Sequence, residues 1–377
     1  MKDLLKTLAR ALASVECTLL CLALMMVLTV GGTLAQAKLG AFAAMAVYFN
    51  SFLVWLPVGS IKLPVFPGGL SIGILWLASL ISAFILHFRL DRRQIGLYLS
   101  HLGIIILLLG QVVTQLMARE SHLSIELGQT RNYSESQREV ELAIVEKSAA
   151  ESDEVVSIPV SRLRTDRPIE TALLPFTIST KAFFPNSDLG QIESGKPSLA
   201  SQGIGTQVSA RAKPITQSDD ESNIPSAYIE LNKGGKSLGT WLVSAGLGAP
   251  QPLSLEGKDY EFYLRPHRSY YPFSLTLNKF THDVYPGTEI PRNFASTVRL
   301  DHPARGESRD ALIYMNHPLR YEGLTFYQAS YGKNDTLSVL QVVRNPVWLT
   351  PYLSCIMVTI GLLLHFLTRF IVSRSHK

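Results

Sequence analysis

Four long apolar stretches of this chain read as spans, each without Asp, Glu, Lys or Arg: Cys17 to Ala37, Leu63 to Phe88, Gln94 to Ala118 and Asn345 to Thr368. They are 21, 26, 25 and 24 residues long. A helix of about 20 apolar residues crosses the hydrocarbon core of a bilayer, so each stretch is long enough to span it. That excludes a wholly soluble enzyme. Only 17% of the 377 residues are charged. Soluble domains carry about 25%, and the deficit lies in these four stretches. The segment Arg119 to Arg344 has ordinary polar composition. The expected fold is an integral membrane protein of four transmembrane α-helices (3 + 1), with a large exported, mainly antiparallel β domain between the third and fourth. The expected boundaries are three helices at about 14–37, 68–88 and 97–118 within 1–118, a β-rich domain at 119–345, a fourth helix at 346–370 and a tail at 371–377.

The charges follow the same division. The chain has 35 basic and 30 acidic residues, a formal charge of +5, but Arg119 to Arg344 holds 24 basic and 27 acidic residues. A nucleic-acid footprint would cluster basic residues on the globular part, so no nucleic-acid partner is expected. The basicity is a topology signal. Lys2, Lys6 and Arg10 precede the first span, Arg89, Arg92 and Arg93 lie between the second and third, and Arg369, Arg374 and Lys377 follow the fourth. The positive-inside bias puts these groups and both termini in the cytoplasm, with the 38–62 loop and the β domain outside. The expected location is the bacterial cytoplasmic membrane, with membrane lipid around the helices. Ala35-Gln36-Ala37 resembles a signal-peptide cleavage site. The uncharged run before it is long for a signal sequence and ends in Gln36 and Lys38, so it reads as a retained span.

Cys17, Cys21 and Cys355 all fall in expected spans, which leaves the exported domain without a disulfide or a thiol redox centre. Cys17 and Cys21 are four apart on one helix face and read as small buried residues. Strand patterns dominate from Glu120 onward. Alternating or β-branched runs occur at 140–145, 176–183, 227–231, 260–264, 274–277, 296–300, 324–327 and 337–343. Gly, Pro, Asn and Asp separate them, as in an antiparallel sandwich or barrel. Residues 186–223, rich in Ser, Gly, Gln and Asp, read as a flexible loop.

The exported domain has no nucleophile elbow and no closely spaced pair of metal ligands. His122, His267, His282, His302 and His317 each stand alone in sequence and read as surface or hydrogen-bonded residues. His101 is different. It falls one or two turns inside the third span, where an ionisable side chain is costly and usually functional. Neutral imidazole is a good axial ligand for haem iron, and the competing reading is an interfacial or helix-bonded histidine. His87, at the end of the second span beside Arg89, is a weaker candidate, as is His365 near the inner end of the fourth.

Several motifs carry a resemblance. Gly31-Gly32-Thr33-Leu34-Ala35-Gln36, Ser100-His101-Leu102-Gly103 to Leu109-Gly110, and Asn316-His317-Pro318-Leu319-Arg320-Tyr321-Glu322-Gly323-Leu324-Thr325-Phe326-Tyr327-Gln328-Ala329-Ser330-Tyr331 resemble segments of the ResB/CcsB family of System II cytochrome c biogenesis proteins. Tyr285 to Pro291 with Phe294-Ala295-Ser296 resembles another family segment. In the 316–331 signature, Asn316, Pro318, Leu319, Tyr321, Gly323, Phe326, Tyr327, Gln328, Ser330 and Tyr331 match the family pattern, and its strand–turn–strand sense marks them as structural.

The resemblance implies a membrane subunit working with a CcsA/ResC-type haem-handling partner. Together they would move haem across the membrane for covalent attachment to exported apocytochrome c. It implies that His101 is an axial ligand of haem iron, and that the chain is a non-catalytic or co-catalytic subunit of a cytochrome c haem lyase complex. No catalytic residue is expected in this chain. The tryptophans Trp55, Trp76, Trp241 and Trp348 are isolated, so the partner's tryptophan-rich motif is absent from this sequence. The competing class is a cofactor-free scaffold whose β domain docks another membrane or exported protein.

Overall fold

The structure is a computed structural model, and it describes every residue except 1, 60, 88–93, 148–152, 165–166, 193–196, 217–222, 289–290 and 376–377. Arg89, Arg92 and Arg93, on which the expected topology leans, lie outside the described residues. The chain forms two units, one built from Met1–Ala118 and Asn345–Lys377, the other from Arg119–Thr216 and Glu221–Arg344.

The first unit is helical. Helix α1 (Lys2–Leu12) is followed by α2 (Val15–Leu39), whose start is capped where Ser14 Oγ accepts from Cys17 N at 3.2 Å. A short α3 (Ala41–Ala44) leads to a hairpin of β1 (Leu53–Val58) and β2 (Ile61–Pro67) within the expected 38–62 loop and the start of the second uncharged stretch. Then come α4 (Gly69–His87) and α5 (Ile95–Met117). The last helix of the chain, α7 (Thr350–Ser375), carries Pro351 in its first turn, where a missing N–H costs nothing. Four helical segments, Val15–Leu39, Gly69–His87, Ile95–Met117 and Thr350–Ile371, are long and apolar enough to cross a membrane.

Helices α5 and α7 pack closely because α5 carries Gly96, Gly103 and Gly110 at seven-residue spacing, which keeps the three on one stripe. A Cβ on Gly96 would collide with His365 N and Gly361 O, both backbone atoms. On Gly103 it would stand 2.8 Å from Val358 Cγ2 and 3.0 Å from Ser354 O, and on Gly110 it would strike Thr350. Contact with 365, then 358, then 350 along α5 makes the pair antiparallel. Small residues that let backbones approach are the usual means of helix association in lipid, where apolar burial gives no net drive. Cys21 is fully buried in a cluster with Leu28, Val54 and Ile72, whereas Cys355 is exposed on α7.

The second unit is antiparallel throughout its named strand pairs. A ten-stranded sheet runs β14 (Glu307–Tyr314), β13 (Pro291–His302), β12 (Lys258–Val284), β4 (Thr130–Glu146), β3 (Arg119–Glu126), β17 (Leu337–Arg344), β16 (Leu324–Gly332) and β15 (Leu319–Tyr321). At its side β5 (Glu154–Pro159) pairs with β4 and β11 (Gln251–Leu255) with β12. A second sheet orders β10 (Lys236–Ser244), β9 (Ser226–Lys233) and β6 (Thr177–Phe184). Helix α6 is the single turn Val160–Leu163.

The runs at 260–264 and 274–277, expected as separate strands, are parts of one 27-residue strand, β12. Its first half pairs with β4 at Tyr260↔Glu146 to Pro266↔Val140, and its second with β13 from Ser274↔Asp301. Bulges between Pro266/Arg268 and Tyr270/Leu275 let it turn from one core to the other. The first core packs Leu142, Ile144, Tyr260 and Phe262 against Ile178, Ile229 and Trp241 of the smaller sheet. The second gathers Leu123, Phe273, Leu300, Phe326 and Leu340 within the rolled end of the large sheet. The expected loop at 186–223 is also structured in part. Strands β7 (Ser187–Gln191) and β8 (Val208–Ala212) pair there, and Ser187 Oγ is buried against Ser226 Oγ at 2.6 Å. Its polar residues satisfy one another, so low hydrophobicity did not mean absence of structure.

Replacing Gly96 by Ala forces two backbones apart and is expected to lower stability by about 1–3 kcal/mol, even against the gain of up to about 1 kcal/mol in helix propensity. Gly73 of α4 has open space around the same position, so Gly73→Ala is expected to be neutral or stabilising. Thermal unfolding of the detergent-solubilised chain separates the two, and equal melting temperatures would remove the seam from the account.

Candidate functional site

Three histidines lie toward one end of the helical unit. His87 ends α4, His101 stands in the second turn of α5, and His365 lies on α7 beside Gly96. Tyr98 ties α4 to α5 there, its hydroxyl 2.8 Å from His87 O and 2.5 Å from Gln94 Oε1, with its ring edge-on to Phe84.

Two of these imidazoles have a defined tautomer. His101 Nδ1 is 2.9 Å from Leu97 O, and His87 Nδ1 is 3.1 Å from Ala83 O. A carbonyl only accepts, so in each ring Nδ1–H donates, and in the neutral form of the ring the lone pair is on Nε2. A ring N–H given to a backbone carbonyl is the usual way a metal-ligating histidine is oriented. His101 is two residues from Gly103, so it projects roughly 160° around α5 from the glycine seam. It is therefore on a side of α5 that α7 does not cover, and it is half-buried. His365 Nδ1 is buried and has no hydrogen-bond partner in the described structure. Among the described residues no three His, Cys, Asp or Glu side chains converge as a metal site.

The 316–331 signature builds the edge of the rolled sheet. Tyr314 and His317 exchange backbone hydrogen bonds across Met315-Asn316, with Asn316 at φ +62° and the Tyr314 and His317 rings stacked 4.1 Å apart. Pro318 leads into β15. Glu322 and Gly323, at φ +50° and +73°, make the two-residue turn to β16, the left-handed pair that a tight hairpin needs. Leu319 and Phe326 enter the second core, Tyr321 Oη donates to Glu307 Oε2 at 2.6 Å, and Tyr331 packs on Phe280, Phe294 and His282. Gln328 Oε1 accepts from Ser296 Oγ at 2.6 Å and Gln328 Nε2 donates to Ser338 Oγ at 3.1 Å, which links β13, β16 and β17 through two fully buried serines. Tyr327 and Ser330 face outward.

The domain's histidines differ from one another. His267 and His282 are bonded through Nδ1 to Glu141 and Asp335, at 2.7 and 3.1 Å. His317 is exposed. His302, expected at the surface or hydrogen-bonded, is instead buried beside Phe273 and Tyr321, with Nδ1 unpartnered. His122 Nδ1 is also without a partner, and burial pushes this imidazole's pKa down against the pull of Glu120.

Sequence reasoning missed a polar centre on the outer face of the large sheet. Glu141 is 1% exposed and accepts from Ser157 Oγ at 2.5 Å, Arg265 Nε at 3.0 Å and His267 Nδ1 at 2.7 Å. Burial pushes its carboxyl up, but the hydrogen bonds from Ser157, Arg265 and His267 and the Arg265 charge outweigh it and hold the pKa below the usual value. Glu141, Ser157, Arg265, Arg268 and Tyr270 line a cavity of about 840 Å³ there. The available signal was one carboxylate inside the apolar run 140–145.

A helical unit with four span-length apolar helices and a large antiparallel β domain define the class, a membrane-anchored β-domain protein. Residues 259–339 match the model of the ResB-like family, a segment that takes in β13 to β16 and most of β12. The chain is similar to that family over this segment. It is 33% identical to protein NrfI of Wolinella succinogenes over 96 residues, 26% of this chain and 11% of that protein. It is 38% identical to the cytochrome c biogenesis protein CcsB of Synechococcus sp. strain CC9311 over 99 residues, 24% of this chain and 21% of the relative. To the CcsB of strain CC9605 it is 37% identical over 116 residues, 29% and 26% of the two chains. The match thus spans about a quarter or less of each of these relatives.

Glu141→Gln leaves the nearly buried Arg265 without a counter-charge and is expected to cost about 3 kcal/mol. Because Glu141 has a lowered pKa in the fold, its contribution is fully present above the ordinary carboxylate range and is lost as pH falls through the folded value. Urea unfolding midpoints followed downward from neutral pH should therefore fall more steeply for the parent chain than for the variant; parallel curves would contradict this. Gln328→Ala takes one partner from each of two buried hydroxyls, Ser296 and Ser338, which then keep only each other at 2.8 Å, and should lower stability by about 1–3 kcal/mol, read in the same unfolding experiment.

Proposed function

We propose that this protein is a membrane subunit of cytochrome c maturation that handles haem together with a CcsA/ResC-type partner. Haem is its cargo, passed across the membrane toward covalent attachment to exported apocytochrome c. Support comes from the likeness of residues 259–339 to the ResB-like family and from the likeness to CcsB proteins named for cytochrome c biogenesis. The observation in this chain that carries the reading is His101. Its Nδ1 is anchored to Leu97 O, its Nε2 lone pair is left for a metal, and it stands away from the helix seam. Haem iron would supply the coordination chemistry, and His101 would hold it through Nε2 at a set orientation.

In this reading the 38–67 segment and the β domain lie outside the cytoplasm, and the end bearing His87, His101 and His365 lies toward it, in keeping with the basic residues near that end. His87 is the second candidate for iron on the same tautomer argument. The β domain, with its outer-face cavity and its edge hairpin, would brace the partner or receive apocytochrome.

The test is the visible spectrum of the chain purified with a co-expressed CcsA-type partner. The Soret band is expected to fall about tenfold or more in His101→Ala, and exogenous imidazole should restore part of it in His101→Gly. A stable, haem-free complex in the parent would favour the cofactor-free scaffold, and an undiminished band in His101→Ala would remove this histidine from the site.

A further inference from the structure

The hairpin of β1 and β2 is apolar on both faces. Phe52, Trp55, Leu56, Ile61, Leu63 and Val65 are each 47–63% exposed, and Lys62 is the one charged residue between Phe52 and Pro67. Only its root is packed, where Val54 and Phe66 join the cluster of α2 and α4. Cross-strand partners share a face, so Leu56 and Leu63 stand together beyond that root, and Trp55 stands with Pro64. An isolated two-stranded hairpin is barely stable in water, and an exposed apolar patch of this kind marks a surface meant to be covered.

The hairpin's attachment indicates what covers it. Phe52 O accepts from Gly68 N at 2.9 Å and from Ser71 Oγ at 2.7 Å, and Ser51 O accepts from Leu70 N at 3.2 Å. These bonds satisfy the first turn of α4 with the backbone at the hairpin's foot. A Cβ on Gly68 would collide with Ser51 O, and one on Gly69 with Phe49 O, so the foot is held tightly against the helix start. Helix α4 is of spanning length, so its N-terminal end lies at the membrane boundary and the hairpin is held there with it.

Backbone chemistry then narrows the depth. The outer edges of a lone hairpin cannot be satisfied in hydrocarbon, so it cannot stand in the bilayer centre. Pro57, Pro64 and Pro67 remove three N–H donors, which makes the edges poor templates for an added strand and less costly to place against lipid. Tryptophan with a single lysine is the composition of the headgroup zone.

We infer that the β1–β2 hairpin is a lipid-interface anchor, lying among the headgroups and upper acyl chains of the leaflet at the α4 N-terminus. It fixes the depth and rotation of α2 and α4. This does not depend on the haem reading.

The test uses the full chain in phosphatidylglycerol/phosphatidylethanolamine vesicles and follows the part of the tryptophan emission that Trp55→Phe removes. That component should be quenched at least about threefold more by lipids spin-labelled near the headgroup than by lipids labelled near the chain end, and weakly by aqueous iodide. Leu63→Asp should raise iodide quenching of the same component, with the β domain's protease resistance unchanged. Strong iodide quenching in the parent would place the hairpin in water and overturn the inference. Protection from both iodide and lipid quenchers would mean that a protein covers it, and stronger quenching from the chain end would mean it lies in the core. Either result also overturns the inference.

Discussion

The close approach of α5 and α7 is the contact on which the helical unit depends. The two helices are separated in sequence by the whole β domain, yet Gly96, Gly103 and Gly110 bring the α5 backbone against Gly361, Ser354 and Thr350. In lipid, burying an apolar side chain against another gains little over lipid itself, so backbone proximity and dispersion must hold the pair. Next to this seam Asn345 Nδ2 donates to Thr114 Oγ1 at 3.3 Å, just before α7 begins. Within the β domain, the strands that follow α5 and precede α7 are themselves partners, with Arg119 opposite Arg344.

The β domain solves a different problem, two cores on one sheet. Strand β12 belongs to both, through bulges that redirect its side chains. The price is polar burial where sheet faces change partners, and the carboxylate and serines there are satisfied. Glu141 takes three hydrogen bonds, and Ser296, Ser338 and Gln328 bond one another across three strands. Networks of this kind specify register, because a slip of one residue would move every member to the wrong face. The family signature is therefore embedded in the packing of the second core, while the proposed haem ligand is on a helix of the other unit.

On α5, one face and its opposite do different work. Glycine on one side permits the α7 contact, and His101 on the other is oriented by the helix's own carbonyl. In the proposed site, a histidine held this way would need no second side chain to set its tautomer. The hairpin before α4, clamped at Gly68 and Gly69, would add a fixed depth reference on the same unit.

The sequence by itself determined what depends on composition and short-range periodicity. A helix-length apolar run without charge suits a bilayer core, so the four apolar helices were legible, and alternation disclosed about half of the strands of an antiparallel domain. His101 was conspicuous because an imidazole among Leu, Ile and Gly is expensive. Only the tertiary structure decided what depends on distant partners. It joined 260–264 and 274–277 into one strand, ordered part of 186–223, buried His302, and assembled Glu141 with Ser157, Arg265 and His267 across three strands. It also showed that the glycines at 96, 103 and 110 are contacts and not merely small residues. Local pattern reports the environment a segment needs, whereas pairing energy depends on which remote atoms arrive at contact distance, and no single stretch of sequence contains that information.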